Sequence, residues 1–184
     1  MEEIGDKEIL EKLFDPQTRR KGFELLVRQY SEQMYWQVRR MVLVHEDAND
    51  ILQNVFVKVW ANIDTFRNAS KLSTWLFRIA TNESLDFIRK KKTRALDNAD
   101  TLADHHVADM LTSDKYFDGD YTQALLYEAI SKLPEVQRTV FNLRYFEEMK
   151  YSEISEILHT SEGALKASYH IAVKKISEYL KRQD

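Results

Sequence analysis

The chain has 184 residues, of which 31% are charged and 43% hydrophobic, with a formal net charge of −3. That balance suits one folded domain or two small ones and excludes disorder throughout. Four glycines, two prolines and no cysteine favour helices over a sandwich or barrel and remove disulfide frameworks and thiolate zinc sites.

Gly5, Gly22, Gly119 and Gly163 stand singly, so a phosphate-cradling glycine loop of the P-loop or dinucleotide type is excluded. The N-terminal MEEIGDKEIL is acidic where an export signal is basic. No apolar run approaches the roughly 18 residues a membrane span needs. The expectation is a cytoplasmic protein without direct membrane insertion.

Residues 1–15 give a short helical pattern, Ile4, Ile9, Leu10, Leu13 and Phe14, closed by Asp15-Pro16. From about Thr18 to Val44, the positions Phe23, Leu26, Val27, Tyr30, Met34, Val38, Met41 and Val42 recur at helical spacing, as one long helix or two abutting ones. Asp47 to Asn62 has an apolar stripe, Ile51, Leu52, Val55, Phe56, Val59 and Trp60. Asp50, Asn54 and Lys58 stack at i, i+4 on its other side, beside Gln53 and Val57. Such a face is either plain solvated surface or a protein-docking surface, and periodicity alone favours the first.

The stretch Arg67 to Lys92, RNASKLSTWLFRIATNESLDFIRKKK, organises the rest. At about 100° per residue, Leu72, Trp75, Leu76, Ile79, Ala80 and Phe87 fall on one side, which makes Trp75 core. Lys71, Arg78, Asn82 and Arg89 fall within roughly 40° of one another opposite it. A helix over Lys71 to Ile88 runs about 27 Å, which suits a phosphate backbone; a solvated face is the alternative.

Charge is segregated beyond this helix. RKKKTR, residues 89–94, has five positive charges, whereas residues 97–120 hold seven aspartates against Lys115 alone, a local charge of −6. Overall acidity therefore does not exclude nucleic acid. The aspartate-rich stretch reads as a flexible linker, so the expected domains are 1–95 and 121–184, joined by an acidic linker over 96–120.

The second domain reads as four helical segments. Tyr121 to Lys132 comes first, and Pro134 opens the next, which runs to Glu147 with Val136, Val140, Phe141, Leu143 and Tyr145. Ser152 to Leu158, capped by Ser152, and Ser161 to Leu180 follow, separated by His159-Thr160-Ser161. Short helix, tight turn, long helix is the order of a helix-turn-helix. On the last helix Leu165, Tyr169, Ala172, Val173, Ile176 and Leu180 share the core face. Lys166, Ala167, His170 and Lys174 lie outside, with Ile171 at the edge. Lysines suit phosphates, His170 suits a base edge, and Ala167 or Ile171 suits a thymine methyl.

No catalytic, metal or cofactor site is expected. Glu156-x-x-His159 has the spacing of a di-iron ligand pair but lacks a second copy. The five histidines never recur at i, i+4, and no nucleophile is glycine-flanked. No small-molecule substrate is expected either.

Together the motifs resemble the extracytoplasmic-function type of bacterial RNA polymerase sigma factor. DANDILQNVFVKVW, Asp47 to Trp60, is similar to the family's polymerase-docking helix. TWLFRIATN, Thr74 to Asn82, resembles its strand-opening segment; LPEVQRTVF, Leu133 to Phe141, with YSEISEIL and SEGALK, resembles its helix-turn-helix domain. The resemblance implies a non-enzymatic, two-domain, all-α promoter-specificity subunit. Asp47, Asp50, Gln53, Asn54 and Lys58 would grip the clamp helices of core RNA polymerase. The loop Arg67 to Ser73 would receive a flipped-out base of the −10 element, involving Arg67, Asn68, Lys71, Ser73 and Thr74. Arg78, Asn82 and Arg89 would hold the melted strand. Ser161, Glu162, Lys166, Ala167, His170 and Lys174 would read the −35 duplex. An anti-sigma factor is implied as a further partner. The chain departs from the family pattern where Ser168 and Ile171 replace frequent arginines, and where His159 or Glu148 replaces a glycine. Two other classes fit the residues less fully: a stand-alone helix-turn-helix repressor, which would leave the Asp47–Lys58 face idle, and a protein-binding helical scaffold, which would leave the cations idle.

Overall fold

The computed structural model describes residues 5–66, 70–97, 107–114, 117 and 119–183. The helical periodicities become helices: among the described residues there are nine α-helices, one 3₁₀ turn and no strand. The chain divides into two compact units, residues 1–86 and 87–184, and the division falls inside the fourth helix.

In the first unit, α1 (Asp6–Phe14), α2 (Arg19–Val42) and α3 (His45–Asn62) precede the 3₁₀ turn Ile63–Thr65, and α4 (Leu72–Asp97) begins here. The second apolar pattern is thus one unbroken helix. It ends where Leu43 turns left-handed at φ 65° and returns its N–H to the Arg39 carbonyl, satisfying one of the carbonyls a helix end leaves over. α1 packs against α2 at Gly22, where a Cβ would stand 2.7 Å from the Leu13 nitrogen and 2.8 Å from the Lys12 carbonyl carbon. Only glycine admits that approach.

Ile9, Leu13, Leu26, Met34, Val38, Ile51, Val55, Val59 and Ile63 form the inward faces of α1 to α3 and the turn. Trp60, assigned to the stripe, is instead 41% exposed; it packs edge-on against Phe23 with the Arg19 guanidinium over its ring. α4 differs from its amphipathic reading. Trp75 is core, as expected, but Phe77, Thr81, Ser84 and Leu85 are buried as well. Gln37 of α2, itself buried, donates to the Phe77 carbonyl at 3.2 Å and to Thr81 Oγ1 at 2.9 Å. Ser84 Oγ donates to the Ala80 carbonyl at 2.8 Å. Internally satisfied hydroxyls let polar residues extend a buried face. α4 is therefore enclosed around most of its circumference through Leu85, and the arc left open contains Arg78 and Asn82.

The second unit holds α5 (Val107–Thr112), α6 (Tyr121–Ser131), α7 (Glu135–Tyr145), α8 (Tyr151–Leu158) and α9 (Glu162–Leu180). α5 corrects the expectation of an acidic stretch without structure of its own. Ala108 and Leu111 are buried against Ala124 of α6, so a few apolar side chains hold six residues of that stretch in place. Glu128 of α6, only 2% exposed, anchors the same end. It accepts from the Ala108 N–H at 2.8 Å, from the Tyr179 hydroxyl and from Lys132 at 3.2 Å. Burial alone would push this carboxyl up; the three donors outweigh it and hold it below the usual 4.5.

Ala129, Ile130, Leu133, Phe141, Ala172 and Ile176 form the core between α6, α7 and α9. Several local expectations are corrected here. α7 ends at Tyr145 rather than Glu147, and Val136, Tyr145 and Val173 are exposed rather than core. α8 is capped by Lys150, whose N–H donates to Glu153 at 2.8 Å, rather than by Ser152. His159 (φ 50°) ends α8 in the left-handed region, and Glu148 (φ 52°) shares that conformation.

Candidate functional site

The outward face of α3 carries Asp50, Gln53, Asn54 and Val57, all exposed, with Val57 at 67%. Asp47 is half-buried near the helix start, where a carboxylate complements the helix dipole. The stripe Ile51, Val55 and Val59 is fully engaged in the core, so this polar face is held rigidly outward.

Lys58, expected with that face, also lines a cavity of about 250 Å³ within the first unit. From α3 and the following turn the cavity takes Lys58, Asn62 and Thr65; from α4 it takes Trp75, Arg78, Ile79, Asn82 and Glu83. Asn62 donates its amide to the Lys58 carbonyl at 2.8 Å, and Thr65 Oγ1 donates to the Asn62 carbonyl at 2.7 Å, which fixes the turn. Phe66 packs its ring 5.5 Å from that of Trp75. Trp75, 4% exposed, gives the cavity an apolar wall, and Lys58 is ion-paired with Glu83.

Of the residues expected at the melted strand, Arg78 and Asn82 line this cavity together. Lys71, just ahead of α4, is exposed and Ser73 is half-buried. Thr74 is corrected: it is 9% exposed, on the inward side of α4, and offers a strand little surface. Arg67 and Asn68 lie outside the described residues. Arg89, in the second unit, is exposed and lies 3.5 Å from Glu135 of α7, which also accepts from Lys92 at 3.0 Å. Sequence reasoning missed Glu83, which sits one residue beyond Asn82 at the edge of the polar arc and was part of no motif.

In the helix-turn-helix, Ser161 caps α9, its hydroxyl accepting from the Ala164 N–H at 3.4 Å. The expected base-reading position is thus also a capping one. Glu162, Lys166, Ala167, His170 and Lys174 are all exposed. Lys166 lies 3.7 Å from Glu162 and 5.6 Å from the Tyr151 ring centroid, and Lys174 lies 4.0 Å from Glu178. Tyr169 is half-buried and stacked on Phe141, so it is packed rather than offered to a base. Among the described residues no group of three or more His, Asp or Glu is arranged to hold a metal, and no helix is long and apolar enough to cross a membrane.

The first unit thus carries an exposed polar face on α3 and a cation-rimmed cavity, and the second unit holds the helix-turn-helix. Residues 26–94 match the model of sigma-70 region 2, and residues 123–176 that of sigma-70 region 4. The chain is 36% identical to the ECF RNA polymerase sigma factor SigW of Bacillus subtilis, over 81% of this chain and 83% of that one. It is 28% identical to the ECF RNA polymerase sigma-E factor of Haemophilus influenzae, over 90% of each. Its fold is that of the sigma factor RpoE solved with the anti-sigma factor NepR from Bartonella quintana: TM-score 0.71, 24% identity, 88% of this chain and 98% of that one. The chain belongs to the sigma-70 family as an extracytoplasmic-function sigma factor, and its function is to direct RNA polymerase to promoters.

Proposed function

We propose that the first unit both docks core polymerase and captures one strand of the −10 element, while α9 reads the −35 duplex. The carrying observation is the cavity bordered by Lys58, Arg78 and Asn82, on a helix whose other sides are buried through Leu85. An unstacked base fits against an apolar wall such as Trp75, and the adjacent cations hold the flanking phosphates. Asp50, Gln53 and Asn54 face away from the core of α3 and form the polymerase-docking surface with Asp47. The functional division follows the sequence as residues 1–95 and 121–184, with the intervening acidic stretch including α5. The protein acts in the cytoplasm, performs no chemistry itself and is held in check by an anti-sigma factor, as the solved relative's partner suggests.

The test is reconstitution with bacterial core RNA polymerase. The wild type binds and directs run-off transcription from genomic fragments. Asp50→Lys combined with Gln53→Ala abolishes binding while leaving the circular dichroism spectrum unchanged. Specific duplex binding without polymerase, undiminished in the double variant, would instead support a stand-alone DNA-binding protein.

A further inference from the structure

The turn that forms one side of the cavity is tied to a distant part of the chain. Arg19, the first residue of α2, donates from its two Nη atoms to the two carboxylate oxygens of Asp64, at 3.2 and 3.0 Å. Asp64 is the middle residue of the 3₁₀ turn Ile63–Thr65, 45 positions further on. The Arg19 side chain is 30% exposed and that of Asp64 67%, so the pair adds little to overall stability. Its geometry is more telling. The guanidinium lies 5.3 Å from the Trp60 ring centroid, and Trp60 packs edge-on against Phe23. Two hydrogen bonds from a planar donor held in this way fix the direction of the carboxylate as well as its distance.

The neighbours of Asp64 are the residues that meet the cavity. Ile63 is fully buried in the core, and Thr65 lines the cavity with Asn62. Phe66 returns its N–H to the Ile63 carbonyl at 3.0 Å and packs on Trp75. These contacts hold the turn from inside, and Arg19 holds it from outside. We infer that the Arg19–Asp64 pair is a positioning clamp for strand capture, setting the turn so that Thr65 and Phe66 complete the cavity against α4. The inference rests on the strand-capture role proposed above and extends it to α2, which supplies none of the described lining residues. In this role neither Arg19 nor Asp64 touches the strand.

The sign of the effect separates a clamp from simple charge. Through the field alone, removing the Arg19 cation weakens binding of an anionic strand and removing the Asp64 anion strengthens it. Loss of a clamp weakens binding in both cases. A pair this exposed biases the turn by no more than its own strength, which limits the loss to roughly three- to five-fold.

The experiment measures, by fluorescence anisotropy, binding of the reconstituted holoenzyme to the labelled single strand of a −10 element found by run-off transcription. Arg19→Met, which keeps an apolar stem against Trp60, and Asp64→Ala each weaken it to that extent. The double variant is no weaker than either single one, because the same clamp is lost only once. Asp64→Glu, which keeps the carboxylate, stays within about two-fold of the wild type. Affinity for core polymerase is unchanged throughout, which a general loss of structure would not allow. Tighter binding by Asp64→Ala, losses that multiply in the double variant, or a matching fall in core-polymerase affinity overturns the clamp. Arg78→Ala separates this failure from that of the reading beneath it. If Arg78→Ala weakens binding while the clamp variants do not, the clamp alone is overturned; if it too has no effect, strand capture falls with it.

Discussion

α4 and α9 both turn apolar side chains inward and cations outward, yet they present those cations differently. Through Leu85 α4 is enclosed on most sides, and Arg78 and Asn82 emerge beside a cavity with an apolar wall. α9 buries only Leu165, Ala172 and Ile176, and leaves Lys166, Ala167, His170 and Lys174 on an exposed face. The first arrangement can take in a single unstacked base; the second can only lie along a groove. In the proposed division the same residue types serve two states of DNA according to how deeply their helix is embedded.

Reversing a charge at the cavity should break this comparison most severely. Arg78→Glu sets a carboxylate against the strand's phosphates, a like-charge contact that costs several kcal/mol. Promoter opening, followed by permanganate reactivity of −10 thymines, should fall at least about thirty-fold. Affinity for core polymerase, which α3 provides in the proposed division, should not change. A loss of both together would mean that the docking and strand-capture surfaces are not separate.

The second unit depends on a buried carboxylate. Glu128→Ala leaves the Ala108 N–H and the Tyr179 hydroxyl without their acceptor. It should cost about 2–3 kcal/mol, read by urea unfolding followed at signals from the second unit. Because the folded carboxyl lies below its ordinary 4.5, its contribution is fully present above that value and is lost as pH falls through the folded value. Lys132 is shifted the other way, raised chiefly by its hydrogen bond to Glu128. Its share is fully present below 10.5 and fades as pH rises through its folded value. The wild type should therefore lose stability at acid pH more steeply than Glu128→Ala, and the difference between them should narrow as the carboxyl protonates.

Periodicity located the helices because each must bury one face, and it located the polar arc because Arg78 and Asn82 lie on the side of α4 that the core leaves open, with Ile79 and Glu83 beside them. It did not show that Thr74, Thr81 and Ser84 are buried. Their hydroxyls look polar on a helical wheel, whereas burial is decided by hydrogen bonds such as Gln37 to Thr81 that join distant parts of the chain. α5 went unseen for a related reason. Two well-buried side chains, Ala108 and Leu111, anchor it against Ala124, too few to register against the surrounding aspartates. Glu83 was overlooked because its meaning comes from Lys58, 25 positions earlier. His159 and Glu148, singled out as replacements for glycine, do occupy left-handed backbone, where glycine is the least strained choice.

The smallest effect expected is on α9, where the comparison can be sharpened by salt. Lys166 and Lys174 are exposed and each lies near a glutamate on its own helix, so neither supports the fold appreciably. If each neutralises one phosphate, replacing either by alanine should reduce the slope of log affinity against log salt by about 0.9 and weaken duplex binding several-fold, equally for all sequences. His170→Ala should instead relax preference at one base pair and leave the slope unchanged. Ser168 and Ile171 offer no further cations on this face, so the wild-type slope of the −35 interaction should itself be shallow. Fluorescence anisotropy of a −35 duplex with the full chain bound to core polymerase, across a salt series, measures both quantities. A slope unaffected by removing both lysines would place the phosphate contacts elsewhere on the second unit and leave α9 with base reading alone.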